Sequence, residues 1–200
     1  MRDVPDDVRR AGLAPAYPIA TERLLLRPID PVADLEAMHA YLSREDVCAY
    51  IPPEPRSLEE LAEALANPDR IRSELTEEGQ VLALAVVLAE TGRLIGDLVL
   101  FWHSERHGNG EIGYVINPDF HGHGYATEAA RALLGLAFDG LGLRRVTARI
   151  DADNLASANV LGKLGMRQEA VLVENEWFKG RWGTEIDFAL LAREWRGRSL

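Results

Sequence analysis

His121-Gly122-His123-Gly124-Tyr125-Ala126-Thr127-Glu128-Ala129 stands between an apolar run ending at Ile116 and a helical pattern lasting to about residue 139. Ala126, Ala130, Leu134 and Phe138 form one i,i+4 row of that pattern, and Ala129, Leu133 and Ala137 form another, so one helical face is apolar. Glycine lets the backbone approach a ligand closely, and a helix start offers unpaired N–H groups and the positive end of the dipole. A phosphate or pyrophosphate is the natural guest of such a place. Taken alone, the two glycines are equally the mark of a tight strand-to-helix turn that holds nothing. A dinucleotide fingerprint fits less well, because the third glycine is missing and Asn117-Pro118-Asp119 intervenes after the strand.

Upstream, Val81 to Ala89 and Leu94 to Trp102 are apolar runs joined by Glu90-Thr91-Gly92-Arg93, which predicts an antiparallel hairpin. Ser104 to Gly110 is a polar loop before a third strand, Glu111-Ile112-Gly113-Tyr114-Val115-Ile116. Downstream, Arg145 to Ile150 alternates as a strand. A helix over Leu155 to Leu164 follows, with Asn154 as N-cap and Gly165 at the left-handed position beyond its end. The last stretch predicts strands at about 168–178 and 184–191, joined by Lys179-Gly180-Arg181-Trp182-Gly183. Toward the start, Glu22 to Pro28 reads as a strand. Asp34 to Leu42 sets Leu35, Met38, His39 and Leu42 on one helical face, and Ser57 with Glu60 opens a helix with a capping box. Residues 1–20 show no periodicity and are expected to form an extension outside the core; 196–200 would be a short tail. The order predicts one mixed sheet with helices against it.

Two hundred residues suit a single domain, and 47% apolar with 27% charged residues is the composition of an ordinary soluble globule. No stretch approaches the roughly 20 apolar residues of a membrane helix. The charged start, Met1-Arg2-Asp3-Val4-Pro5, lacks a signal peptide's apolar segment. Cys48 is the sole cysteine, which suits a reducing cytoplasm and a packed side chain. A net charge of −10 argues against direct nucleic-acid binding and is compatible with cationic acceptors such as amines. The histidines at 103, 107, 121 and 123 show no ligand spacing, so no metal is expected.

Three stretches, 111–118, 122–129 and 154–166, together resemble the linked motifs of the GNAT N-acetyltransferases. They are closest to the branch that acetylates N-terminal amines of ribosomal proteins. Thr21-Glu22-Arg23-Leu24-Leu25-Leu26-Arg27-Pro28, Lys179-Gly180-Arg181-Trp182 and Phe188 to Trp195 resemble that branch too, so the likeness spans about 21–195. It implies an α/β (α+β) fold: a mixed, mostly antiparallel sheet of about seven strands flanked by about four helices, with a splayed central parallel pair. It also implies acetyl-coenzyme A as co-substrate, with no metal, and a primary amine as acceptor: a protein or peptide N-terminus or a small molecule.

For the site, the resemblance implies that the pantetheine arm pairs with backbone near Val115 and Ile116. Residues 121–126 (His121, Gly122, His123, Gly124, Tyr125, Ala126) would take the pyrophosphate, and Asn154 would meet the arm. Many members carry a tyrosine acid where this chain has Leu161, and His121 replaces a commoner glutamine, arginine or tryptophan. Ser157 matches the serine of the N-terminal-amine branch and is assigned as the hydrogen-bond donor on the thiol side, though it is equally placed to support the helix start. Amide formation needs a base, and Glu111, sharing a strand face with Gly113 and Val115, is the candidate. A carboxylate turned into a cleft has its pKa raised toward a useful range; a solvated charge at a strand end is the plainer reading of the same residue. Glu176, Glu185 and Asp187 could line the acceptor mouth. Trp177, Trp182 and Trp195 are expected to pack under the last hairpin, which also offers a route to a homodimer. The alternative function is a non-catalytic acyl-coenzyme A-binding module that regulates a partner.

Overall fold

The computed structural model describes residues 11–197. Eight strands form one sheet: β1 (Ile19–Ala20), β2 (Leu24–Pro28), β3 (Val81–Leu88), β4 (Leu94–Ser104), β5 (Asn109–Ile116), β6 (Arg145–Asp151), β7 (Arg167–Phe178) and β8 (Arg181–Leu191). Their spatial order is β1-β2-β3-β4-β5-β6-β8-β7, and every neighbouring pair is antiparallel except β5 with β6. Helices α1 (Leu35–Leu42), α2 (Glu45–Cys48) and α3 (Leu58–Leu65) precede β3. Helix α4 (Tyr125–Gly135) runs into a π-helical turn over Leu136–Gly140, α5 (Leu155–Lys163) follows β6, and α6 (Ala192–Arg196) ends the described chain.

The parallel pair is short. Its register is Asn109 with Arg145, Gly110 with Val146 and Glu111 with Thr147, and there the ladder stops. Neither strand ends at that point. β5 goes on to pair Ile116 with Gly96 of β4, while β6 goes on to pair Asp151 with Glu185 of β8. Two strands each loyal to an outer partner must part company, and the opening between them is the expected splay.

Strand alternation divides the core in two. Leu98, Leu100, Ile112 and Ile116 face Ala129, Ala130, Leu133 and Leu134 of α4 and Leu161 of α5. Ala83, Ala85 and Val87 face Met38 and Tyr41 of α1 and Leu61 and Leu65 of α3, with Val99 and Val115 against them. Helix α3 starts as the sequence predicts: Ser57 Oγ accepts the Glu60 N–H at 3.2 Å and Glu60 Oε2 accepts the Ser57 N–H at 2.8 Å. Helix α1 is turned slightly from expectation, with Met38 and Tyr41 its most buried members.

Three expectations fail. Residues 11–20 are not outside the core, because Leu13 is 7% exposed in the main cluster and β1 joins the sheet edge. Reciprocal backbone bonds between Leu13 and Leu75 and a 2.6 Å bond from the Tyr17 hydroxyl to the Ser73 carbonyl hold this segment down. Residues 1–10 and 198–200 lie outside the described part. The last hairpin is also tighter than predicted, turning on Lys179 and Gly180 alone, both at positive φ. That turn carries Trp177 and Trp182 on the surface, 61% and 56% exposed and edge to face. Trp195 alone packs, on Phe138, with its indole N–H bonded to Asp139. Cys48 is buried, its thiol donating to the Leu42 carbonyl.

Candidate active site

A cleft of about 720 Å³ opens at the splay. Its floor is the alternate residues of two neighbouring strands, Asp97, Val99 and Phe101 of β4 beside Val115, Gly113 and Glu111 of β5. Ala148, Arg149 and Ile150 of β6 form the other side of the gap, and Asn154, Ser157 and Leu161 reach it from α5. Helices α1 and α3, packed on the sheet face over β3, and the Tyr50–Pro53 segment close it on that side. Four residues assigned from sequence, Glu111, Val115, Asn154 and Ser157, therefore meet at one cavity.

Their surroundings differ. The Glu111 carboxylate lies 3.3 Å from His103 Nε2 and keeps about a third of its side-chain surface. Asn154 Oδ1 accepts the Ser157 N–H at 3.0 Å, capping α5, which leaves the Asn154 amide nitrogen with no partner among the described residues. The Ser157 carbonyl accepts the Tyr114 hydroxyl at 3.3 Å, and burial pushes that phenol up to about 12. Leu161 is fully buried in apolar company, so no acid stands there.

Past β5 the chain makes a short turn over Pro118–Phe120, capped by Asn117, and enters the glycine loop. Gly122 and Gly124 both sit at φ +82°, which side chains rarely adopt. A Cβ on Gly122 would meet nothing within 4 Å, so there the glycine is required by backbone conformation rather than by space. The first α4 backbone bond runs from the Glu128 N–H to the Gly124 carbonyl, leaving the N–H groups of Tyr125, Ala126 and Thr127 without helical acceptors. These are the donors a pyrophosphate needs, and the residues present fit that group.

The loop is braced from the turn between β1 and β2. Glu128 accepts the Thr21 hydroxyl at 2.6 Å and the Arg23 N–H and Nε at 2.8 Å each, and Arg23 Nη1 donates to the His123 carbonyl at 2.9 Å. The Arg23 guanidinium also covers the Tyr125 ring, on which His123 stacks. His121 turns back instead of outward: its Nε2 lies 2.8 Å from the Ile116 carbonyl, a group the resemblance reserves for the pantetheine arm. The loop and Ile116 lie outside the cleft lining.

Sequence reasoning missed three residues. Asp97 lies on the cleft floor, shut in by protein on its other sides, and burial pushes its carboxyl from 3.8 up to about 6. The Tyr41 hydroxyl donates to its Oδ1 at 2.7 Å, which holds the shift back somewhat. Arg149 lies between Asp187, at 3.0 Å, and Glu185, at 3.6 Å, so these expected mouth acids share a cation. An acid inside the apolar run Leu94–Trp102 was the available signal for Asp97. Among the described residues no group of three or more His, Cys, Asp or Glu could hold a metal ion, and no helix is long and apolar enough to cross a membrane.

A splayed parallel pair with a glycine loop and helix start beyond it is the arrangement that the resemblance implies for an acyl-coenzyme A-handling protein. Residues 23–167 match the family model described as acetyltransferase (GNAT) domain, and the chain belongs to that family. It is 34% identical over 177 residues to the Bacillus subtilis (strain 168) protein described as uncharacterized N-acetyltransferase YnaD, covering 88% of this chain and 98% of that one. A GNAT-family acetyltransferase structure from Bacillus anthracis superposes with a TM-score of 0.76 at 32% identity, over 88% of this chain and 99% of its own. The Vibrio cholerae spermidine N-acetyltransferase, solved with CoA and spermine, shares the fold, with a TM-score of 0.75 at 22% identity over 88% of this chain and all of its own. The family's reaction is acetyl transfer from acetyl-coenzyme A to an amine, and that is the reaction class of this chain.

Proposed function

We propose that this chain acetylates the primary amine of a small molecule or of a protein or peptide N-terminus by direct attack in a ternary complex, working in a reducing cytoplasm. The observation that carries this reading is the convergence of Glu111, Val115, Asn154 and Ser157 on one cleft where the β5–β6 ladder ends. Backbone along Val115 and Ile116 and the Asn154 amide would hold the pantetheine arm. The N–H groups of residues 122–126, with His121 beside them, would hold the pyrophosphate. Glu111, at the open side with His103, takes the first proton from the arriving ammonium and passes it toward solvent. A backbone N–H near Val115 would stabilise charge on the acyl oxygen, and Ser157 would donate toward the departing sulfur.

Among the described residues no cysteine thiol lines the cleft to carry an acetyl group, since Cys48 is buried with its thiol on the Leu42 carbonyl. The last hairpin, with β7 at the sheet edge and two exposed tryptophans, is the face through which two copies would meet. Initial rates with acetyl-coenzyme A and amine both varied test the route. Intersecting reciprocal plots with no acetylated enzyme by intact mass are expected; parallel plots with an acetyl-enzyme would contradict direct transfer.

A further inference from the structure

We propose that Asp97 is a second catalytic carboxylate of this cleft, taking the proton that the acceptor nitrogen still carries after its bond to the acyl carbon has formed. The inference rests on the amine-acetyltransferase reading above. Asp97 is the register partner of Val115. Directly opposed residues on one face of an antiparallel pair hold their Cβ atoms about 4.5–5.5 Å apart, so the Asp97 carboxylate sits at the level where the oxyanion donor is placed. Glu111 lies four residues further along β5, about 13 Å of strand away.

The other carboxylates of the lining are engaged or outside. Asp69 pairs with Arg72, Asp151 with Arg181, Glu185 with Arg149 and Glu111 with His103, while Glu176 is exposed on the last hairpin. Asp97 has no cation partner among the described residues. Its Oδ1 accepts the Tyr41 hydroxyl, and nothing described donates to Oδ2. Its strand neighbours are Ala85 of β3 and Val115 of β5, neither of which titrates. From α1 it meets Tyr41, behind which stands the Arg27–Asp34 ion pair. Burial has already moved its carboxyl to about 6, close to the pH at which a base works best.

The chemistry moves two protons off nitrogen. An ammonium becoming an amide sheds two protons from nitrogen, one before attack and one after. As the N–C bond forms and the C–S bond breaks, the first proton leaves through Glu111 to solvent. Asp97 takes the second and yields it to the departing sulfur, returning to carboxylate. The products are amide, thiol and one free proton, so the step balances.

The test is thiol release against pH for the full chain, with acetyl-coenzyme A and either n-butylamine or trialanine as acceptor. Asp97→Asn is expected to lower kcat about 100-fold or more, with acetyl-coenzyme A affinity by calorimetry within about twofold of the parent. Tyr41→Phe keeps the carboxylate but removes its donor, so the acidic limb of kcat, expected near 6, should move to higher pH. An Asp97→Asn enzyme within about threefold of the parent rate, or a Tyr41→Phe limb that stays put, overturns the role of Asp97. A parent enzyme that binds acetyl-coenzyme A yet releases no thiol with either acceptor contradicts the underlying reading instead, and the inference falls with it.

Discussion

Tyr41 of α1 and Asp97 of β4, 56 residues apart in sequence, are joined by a 2.7 Å hydrogen bond behind the cleft floor. Because burial raises the Asp97 carboxyl from 3.8 to about 6, the folded protein holds this proton more tightly than the unfolded chain does. Stability from this group is present below about pH 4 and is lost as pH rises through 6. Asp97→Asn should therefore stabilise the protein at pH 8, by about 1–3 kcal/mol as an upper range, and the gain should vanish toward pH 4. Thermal melts at the two pH values check this, and equal midpoints for parent and variant at pH 8 would contradict it. A variant that is more stable and less active is the expected signature of a carboxylate kept for chemistry.

The clamp between Arg23 and Glu128 ties the first strands to the glycine loop. Burial raises the Glu128 carboxyl, but hydrogen bonds from Thr21 and Arg23 outweigh it and hold the group below its usual value. Its contribution is thus complete above the ordinary glutamate range and is lost as pH falls through the folded value. Glu128→Gln should cost about 1–2 kcal/mol at pH 7, much less near pH 3, and weaken acetyl-coenzyme A binding severalfold. Denaturant unfolding at both pH values, with calorimetry at pH 7, measures it.

Gly122 and Gly124 make separate demands on the same loop. Alanine at either must hold φ near +82°, at a cost of about 1–2 kcal/mol. Since a Cβ at position 122 has open space, Gly122→Ala should act through loop conformation alone. The affinity for coenzyme A should fall in both variants, with the overall fold by circular dichroism unchanged; full affinity in both would remove the loop from the binding site.

Two variants separate the acyl and amine sides. Ser157→Ala should slow turnover more than it weakens acetyl-coenzyme A binding, since the cap at Asn154 uses the Ser157 backbone and survives the change. Glu111→Gln should depress the rate at neutral pH and move the rate profile upward, and a profile that coincides with the parent's would strike Glu111 from the mechanism.

The elements nearest the site were legible because each is set by local chemistry. Asn154 caps α5, Ser57 and Glu60 start α3, and the Pro118–Phe120 turn with two glycines leads into α4. Residues 11–20 escaped because what orders them is remote: Leu13 finds Leu75 and Gly140, and Tyr17 finds Ser73. The cleft pairings of Tyr41 with Asp97 and Arg149 with Glu185 likewise join distant segments, and no period or cap announces them. The exposed tryptophans show the opposite failure, since burial was assumed from residue type while a two-residue turn at Lys179-Gly180 set the register.

The most direct test is acetyl-coenzyme A binding by calorimetry, followed in the same sample by thiol release on adding a mixed panel of amines and short peptides. An amine acetyltransferase predicts saturable binding and release that depends on the amine. Binding without release under any acceptor would leave a coenzyme A-binding module in its place, and no binding would contradict the site itself.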